Sequence, residues 1–148
     1  MIFSKSAGYA LQTVIYLSNY SKGKPVSQQD LATDLNIPFH YLGKILQPLT
    51  KSRIVSSKKG GHGGFYLNKS PKEIVLCDIV NLFGEEDCFD GCVIGFPGCS
   101  DSSPCPLHDD WKPAKNILQN IMLKHTIDEW NKNLSVKLDY IKSITNTE

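Results

Sequence analysis

The stretch Ser27-Gln28-Gln29-Asp30-Leu31-Ala32-Thr33-Asp34-Leu35-Asn36-Ile37-Pro38-Phe39-His40-Tyr41-Leu42-Gly43-Lys44-Ile45-Leu46-Gln47 decides the fold. Ser27 offers a hydroxyl at a helix N-cap and Asp30 an acid three residues on, a capping-box-like start. Leu31, Ala32 and Leu35 then point inward from a short helix. Asn36 and Ile37 make a tight turn. Pro38 suits the first position of the next helix, where its missing N–H costs nothing. That second helix runs to Lys51, with Tyr41, Leu42, Ile45, Leu46 and Leu49 on one apolar face. Opposite them lie His40, Gly43, Lys44, Gln47 and Lys51, mostly residue types that meet phosphates and base edges. Pro48 predicts a bend in the last turn. Two short helices with a tight turn between them are a helix-turn-helix.

Working outward, two β-prone runs, Ile54-Val55-Ser56-Ser57-Lys58 and Phe65-Tyr66-Leu67, flank Lys59-Gly60-Gly61-His62-Gly63-Gly64. They read as a hairpin with a basic, Gly-rich tip. Directly after a helix-turn-helix such a hairpin is a wing, whose Lys58, Lys59 and His62 can enter a minor groove. Upstream, residues 5–20 read as a helix with Ala7, Ala10, Leu11, Val14 and Leu17 on one face, and residues 21–25 as a turn. The candidate DNA contacts are Ser27, Gln28, Pro38, His40, Tyr41, Lys44, Gln47, Lys51, Lys58, Lys59 and His62.

Charge supports that reading. The chain has 148 residues and a net charge of +1, but residues 1–70 hold nine Lys or Arg against two acids, a net of +7. Residues 71–148 hold seven Lys against thirteen acids, a net of −6. A half that basic suits a polyanion, here double-stranded DNA. No leader-like apolar segment follows the start, and no apolar run approaches the roughly 20 residues of a membrane span. The expected compartment is the cytoplasm, and no membrane partner is expected. There, five cysteines argue for metal or redox chemistry over structural disulfides.

Beyond the wing, residues 74–83 read as a short strand and helix ended by Gly84, with Cys77 as a core cysteine among Val75, Leu76, Ile79 and Val80. Residues 84–110 differ: they carry four Gly, three Pro and four of the five Cys, with no helical or alternating period. A structureless loop of that length is uncommon unless something orders it. The helical period returns at Trp111 and continues through Ala114, Leu118, Ile121 and His125, flanked by Ile117 and Met122. Thr126-Ile127-Asp128-Glu129 opens a shorter terminal helix. So long a stripe on a small chain predicts a helix-to-helix dimer seam, against the simpler alternative of packing on its own domain. The expected fold is mainly α with a small β-hairpin wing, a winged helix-turn-helix plus a long C-terminal dimerisation helix. Its expected divisions are 1–83 for DNA binding, 84–110 for the cysteine loop, and 111–148 for the dimerisation and terminal helices.

In the loop, six residues separate Cys92 from Cys99 and five separate Cys99 from Cys105. These gaps are wider than the paired knuckles common in structural zinc sites, which favours an iron–sulfur cluster without excluding zinc. His108 follows Cys105 by three residues, and its imidazole can complete four ligands if Pro106 starts a helix. Cys88 is a further thiol that could replace one ligand or act in redox exchange.

Together these features resemble the IscR/NsrR family of bacterial iron–sulfur regulators over essentially the whole chain. The residues that carry the resemblance are 4–10, the helix-turn-helix 26–42, the wing Lys59-Gly60-Gly61-His62-Gly63-Gly64-Phe65, and the series Cys92, Cys99, Cys105, His108, Trp111. The resemblance implies a homodimer crossed by a long C-terminal helix, one cluster per subunit, and transcription controlled by cluster state. In its IscR-like members three cysteines and a histidine hold a 2Fe–2S cluster, and by position these are Cys92, Cys99, Cys105 and His108. This chain departs from the pattern in a first gap one residue longer, in the extra Cys88, and in Gly8, which replaces the acid that NsrR-like members use as a ligand. Gly43 also removes a side chain that could read a base. The expected function is thus a DNA-binding regulator on a pseudo-palindromic operator, controlled by a cluster. The alternatives are a zinc-loaded or thiol-redox regulator, using Cys88 and Cys92, and an electron-transfer or cluster-carrier protein. No nucleophile–base constellation suggests an enzyme.

Overall fold

The computed structural model describes residues 3–85 and 91–145. Cys88 lies outside the described residues. Helix α1 spans Lys5–Tyr20 and is capped by Ser4, whose hydroxyl accepts from the Ala7 N–H at 3.3 Å. Its inward face buries Ala7, Gly8, Ala10, Val14 and Leu17. Helix α2 spans Gln28–Leu35, and the Ser27 hydroxyl accepts from the Asp30 N–H at 3.0 Å. The chain leaves α2 through Asn36 in the left-handed region, φ 52°, a conformation that Asn tolerates better than most residues.

Helix α3 spans Phe39–Lys51 and buries Leu42, Ile45, Leu46 and Leu49. Pro38 is its N-cap rather than its first helical residue: φ is −54° but ψ is 129°, so the ring suits the helix while the next peptide has not yet turned. Pro48 is carried inside the helix, which continues to Lys51 and closes with the Ser52 N–H donating to the Pro48 carbonyl at 2.9 Å. Tyr41 is half-buried. Its hydroxyl lies 2.8 Å from Ser6 Oγ, and its ring packs edge-on against Tyr9 with centroids 5.5 Å apart. It pins α3 to α1.

Strands β1 (Val55–Lys58) and β2 (Gly64–Leu67) pair antiparallel, with Val55 opposite Leu67 and Lys58 opposite Gly64. The hairpin is stitched to the head of the helix-turn-helix: Val26 and Phe65 exchange both backbone hydrogen bonds, at 2.8 and 2.7 Å. That approach explains two tip glycines. A Cβ on Gly64 would collide with the Val26 carbonyl, and one on Gly63 with the Lys58 carbonyl. The wing base is therefore anchored, and the glycines there serve close packing.

After the wing, a 3-10 turn at Pro71–Glu73 leads into helix α4, Leu76–Val80, then a second 3-10 turn at Asn81–Phe83 that ends on Gly84 at φ 77°. The strand expected here shrinks to a single bridge, Val75 with Thr126. Cys77 is half-buried against the core, and its thiol donates to Asn81 Oδ1 at 3.5 Å. Helix α5 spans His108–Lys124, one turn earlier than the period that begins at Trp111.

The expected stripe divides in the structure. Leu118, Ile121 and Met122 pack on the chain's own core, whereas Ile117 is 61% and Leu123 57% exposed. His125 is also exposed. Instead of one terminal helix there are two, α6 (Ile127–Trp130) and α7 (Leu134–Thr145), broken where Asn133 adopts φ 66°. Helix α7 returns onto α2, burying Leu138 and bringing Lys142 Nζ to 3.8 Å from Asp34. Among the described residues no helix is long and apolar enough to cross a membrane.

Candidate functional site

Two sites emerge. The first is the outer face of α3 with the wing. His40, Lys44, Gln47 and Lys51 are exposed along α3, and Lys58, Lys59 and His62 along the hairpin. Pro38 is also exposed at the head of α3. Three other expected contacts have partners within the chain. Ser27 uses its hydroxyl in its own cap and donates to Asp30 at 2.7 Å, and Tyr41 is tied to Ser6. Gln28 donates from Nε2 to the Phe39 carbonyl at 2.9 Å, linking the first turns of α2 and α3. Gly43 makes room for this link, since a Cβ there would sit 3.1 Å from Gln28 Nε2. The sequence pattern gave no weight to Phe39, which is exposed beside His40 with ring centroids 5.7 Å apart, or to Arg53, an exposed cation just past α3.

The second site is the cysteine loop. The sulfurs of Cys92, Cys99 and Cys105 lie within 4.8 Å of one another. The Cys92 and Cys105 sulfurs are 3.5 Å apart, and Cys99 Sγ lies 3.3 Å from His108 Nδ1. Local backbone makes this possible. Gly95 takes φ 78° and donates to the Cys92 carbonyl at 3.0 Å, turning the chain after the first thiol. Ser100 and Ser103 exchange backbone bonds at 3.1 and 3.0 Å, folding the second gap into a small hairpin. The His108 N–H donates to the Cys105 carbonyl at 3.0 Å as α5 begins. The sequence-predicted ligands thus come together, three thiols from the loop and one imidazole from the first turn of α5.

A cavity of about 300 Å³ is lined by Cys92, Cys99, Cys105, His108 and Trp111. The Cys92 thiol is drawn down to about 7, chiefly by a hydrogen bond from the Ile94 backbone, while partial burial pushes the Cys105 thiol up. Trp111 Nε1 is buried with no hydrogen-bond partner among the described residues. An orphaned donor of this kind costs about 1–3 kcal/mol. Soft thiolates and an imidazole fit a metal–sulfur group. Outside this set, His108 Nε2 lies 2.8 Å from Asp101, and Lys112 Nζ is 2.7 Å from each oxygen of the same carboxylate. The sequence pattern did not single out Asp101 or Lys112. The four-residue step from His108 to Lys112 on one helix face was the available signal.

The sequence pattern of the Rrf2 family, described as an iron-dependent transcriptional regulator, matches residues 3–133. A protein of Aquifex aeolicus named as an HTH-type transcriptional regulator is 34% identical over 131 residues, covering 87% of this chain and 90% of that one. The HTH-type transcriptional regulator IscR of Pectobacterium carotovorum is 26% identical over 136 residues, covering 92% of this chain and 82% of its own. The solved structure of CymR, described as the global cysteine regulator of B. subtilis, shares the fold with a TM-score of 0.70 at 22% identity, covering 87% of this chain and 95% of that one. The chain belongs to the Rrf2 family of transcriptional regulators.

Proposed function

We propose that this regulator acts in the cytoplasm as a homodimer on a pseudo-palindromic DNA operator, and that a 2Fe–2S cluster held by Cys92, Cys99, Cys105 and His108 controls its binding. The observation that carries the reading is three thiols within 4.8 Å of one another in a loop with little apolar burial of its own, with the His108 imidazole of α5 3.3 Å from one of them. Cys92 lies 3.5 Å from Cys105, and Cys99 lies 3.3 Å from His108. When bound, the cluster would supply a redox-active cross-link between loop and helix.

The chain's own residues do the rest. His40, Lys44, Gln47 and Lys51 meet the major groove, while Lys58, Lys59 and His62 meet phosphates or the minor groove. Two copies of α3 lie about 34–36 Å apart on successive half-sites. Exposed Ile117 and Leu123 on α5 face the second copy. His108 ties the loop to α5, α5 packs on α4, α4 on α1, and α1 on α3. Order in the loop thereby biases the angle between recognition helices.

Anaerobic purification with iron and sulfide analysis tests the cluster. We expect about two irons and two sulfides per chain, lost in Cys92→Ala. Colourless protein after anaerobic reconstitution sinks the reading. Lys44→Ala should weaken operator binding and lower its salt slope by about one unit. A second reading, a zinc or thiol-redox regulator, is favoured by the 3.5 Å approach of Cys92 to Cys105. Zinc in place of iron, or a Cys92–Cys105 disulfide that alters operator binding, would establish it.

A further inference from the structure

His108 is held at both ends of its ring. Nδ1 faces the Cys99 sulfur at 3.3 Å, and Nε2 meets Asp101 Oδ1 at 2.8 Å. Asp101 is itself held on two sides. Its backbone sits in the small hairpin closed by Ser100 and Ser103, and Lys112 grips both of its oxygens at 2.7 Å. With the Lys112 ammonium donating to both of its oxygens, the Asp101 side chain faces His108 as an acceptor. A neutral imidazole has one N–H and one lone pair. The carboxylate claims the N–H at Nε2, which leaves the lone pair on Nδ1, the nitrogen that faces the Cys99 sulfur.

We propose that Asp101, clamped by Lys112, is a positioning residue that fixes the His108 tautomer, so that His108 ligates through Nδ1. The inference rests on the cluster reading above and extends it to the layer behind the ligands. Its logic is that of carboxylate–histidine–metal chains, in which an outer carboxylate orients the ring and raises its basicity. Asp101 is 70% and Lys112 49% exposed, and ion pairs that open contribute little to stability. Orientation of the ligand is what this geometry can supply.

The test uses the full chain with ¹⁵N-labelled histidine. In cluster-free, reduced protein at a pH where imidazole is neutral, long-range ¹H–¹⁵N correlation reports the His108 tautomer. We expect the proton on Nε2 in the unmodified chain, a mixture in Asp101→Ala, recovery in Asp101→Glu, and an intermediate result in Lys112→Met. In reconstituted protein, cluster loss to a chelator should be about 10–100-fold faster in Asp101→Ala and close to the unmodified rate in Asp101→Glu. The same tautomer with and without the Asp101 carboxylate, or an unchanged rate of cluster loss, overturns the inference and leaves the cluster reading standing. An unmodified chain that loads no cluster sinks that reading instead, and the tautomer result then decides the Asp101 clamp on its own.

Discussion

The winged-helix body and the cysteine loop are built by different physics. In the body, Leu17, Leu31, Leu42 and Leu49 are fully buried within one continuous cluster, and the helices around them exist because they cover it. In the loop the large apolar side chains face outward: Val93 is 46%, Ile94 51%, Phe96 55% and Leu107 44% exposed. Its described residues are held by a few backbone hydrogen bonds, the Asp101 contacts to His108 and Lys112, and the mutual approach of its sulfurs. Burial is indifferent to redox state, whereas ligation is not. A chain with both kinds of segment can therefore keep its DNA-reading scaffold folded while the loop responds to chemistry.

The sharpest way to break this contrast is to remove apolar bulk from each side. Leu42→Ala empties a fully buried position on α3 and should cost about 2–5 kcal/mol in urea unfolding of the cluster-free protein. Phe96→Ala removes a larger side chain from an exposed position and should stay within about 0.5 kcal/mol. A Phe96→Ala loss equal to that of Leu42→Ala would mean that the loop has a core of its own. The next largest effect is expected at the wing. Gly64→Ala forces a Cβ against the Val26 carbonyl, and should destabilise by about 1–3 kcal/mol while weakening operator binding. Unchanged stability would show that the wing base is not anchored as described.

The contrast also governs what was legible in the sequence. The helix-turn-helix was readable because local signals agree with the packing: the Ser27 cap, the Asn36 turn and the period of Leu42, Ile45, Leu46 and Leu49 all state the same structure. Where local signals conflict, the boundaries moved. His108-Asp109-Asp110 starts α5, but the Gly- and Pro-rich run before it hides that first turn. The break before α7 depends on Asn133 in the left-handed region, which Asn permits but does not demand. In the site, Cys92, Cys99, Cys105 and His108 were readable by residue type. Asp101 was not, because an acid in a Ser-rich turn looks like solvated surface until the fold brings Lys112 and His108 to it. Gly43 was read as a lost base contact, whereas the structure gives it a local reason in the Gln28 link.

A smaller effect inside the body sharpens the comparison through pH. The Tyr16 hydroxyl donates to Asp34 at 2.6 Å, and Asp34 is also approached by Lys142 from α7. Burial, together with the Asp34 carboxylate, raises the Tyr16 phenol well above its ordinary value. A raised folded value means that the stabilisation is complete below the unfolded value of about 10 and is lost as pH climbs beyond it. Tyr16→Phe should cost about 1–2 kcal/mol near neutrality and remove that alkaline loss. A variant whose alkaline unfolding profile matches the unmodified chain would show that the tyrosine is not what ties α1 to α2.

The smallest effect is expected at the joint between α5 and α6. Glu129 closes a capping box at the head of α6: its carboxylate accepts from the Thr126 N–H at 2.8 Å, and Thr126 bridges to Val75 before α4. His125 Nδ1 lies 3.3 Å away. The Thr126 N–H first, and His125 after it, hold the Glu129 carboxyl below its ordinary value. A lowered folded value contributes stability that is present above the unfolded value, about 4.3, and vanishes as pH falls through the folded one. Glu129→Gln keeps the shape and an acceptor for the Thr126 N–H but removes the charge, so the two chains should differ slightly at pH 7 and converge under acid. Urea midpoints at neutral and acidic pH measure this directly. A gap that persists unchanged in acid would assign it to shape, and would mean that the joint between α5 and α6 is set by packing, as the body is, with no contribution from charge.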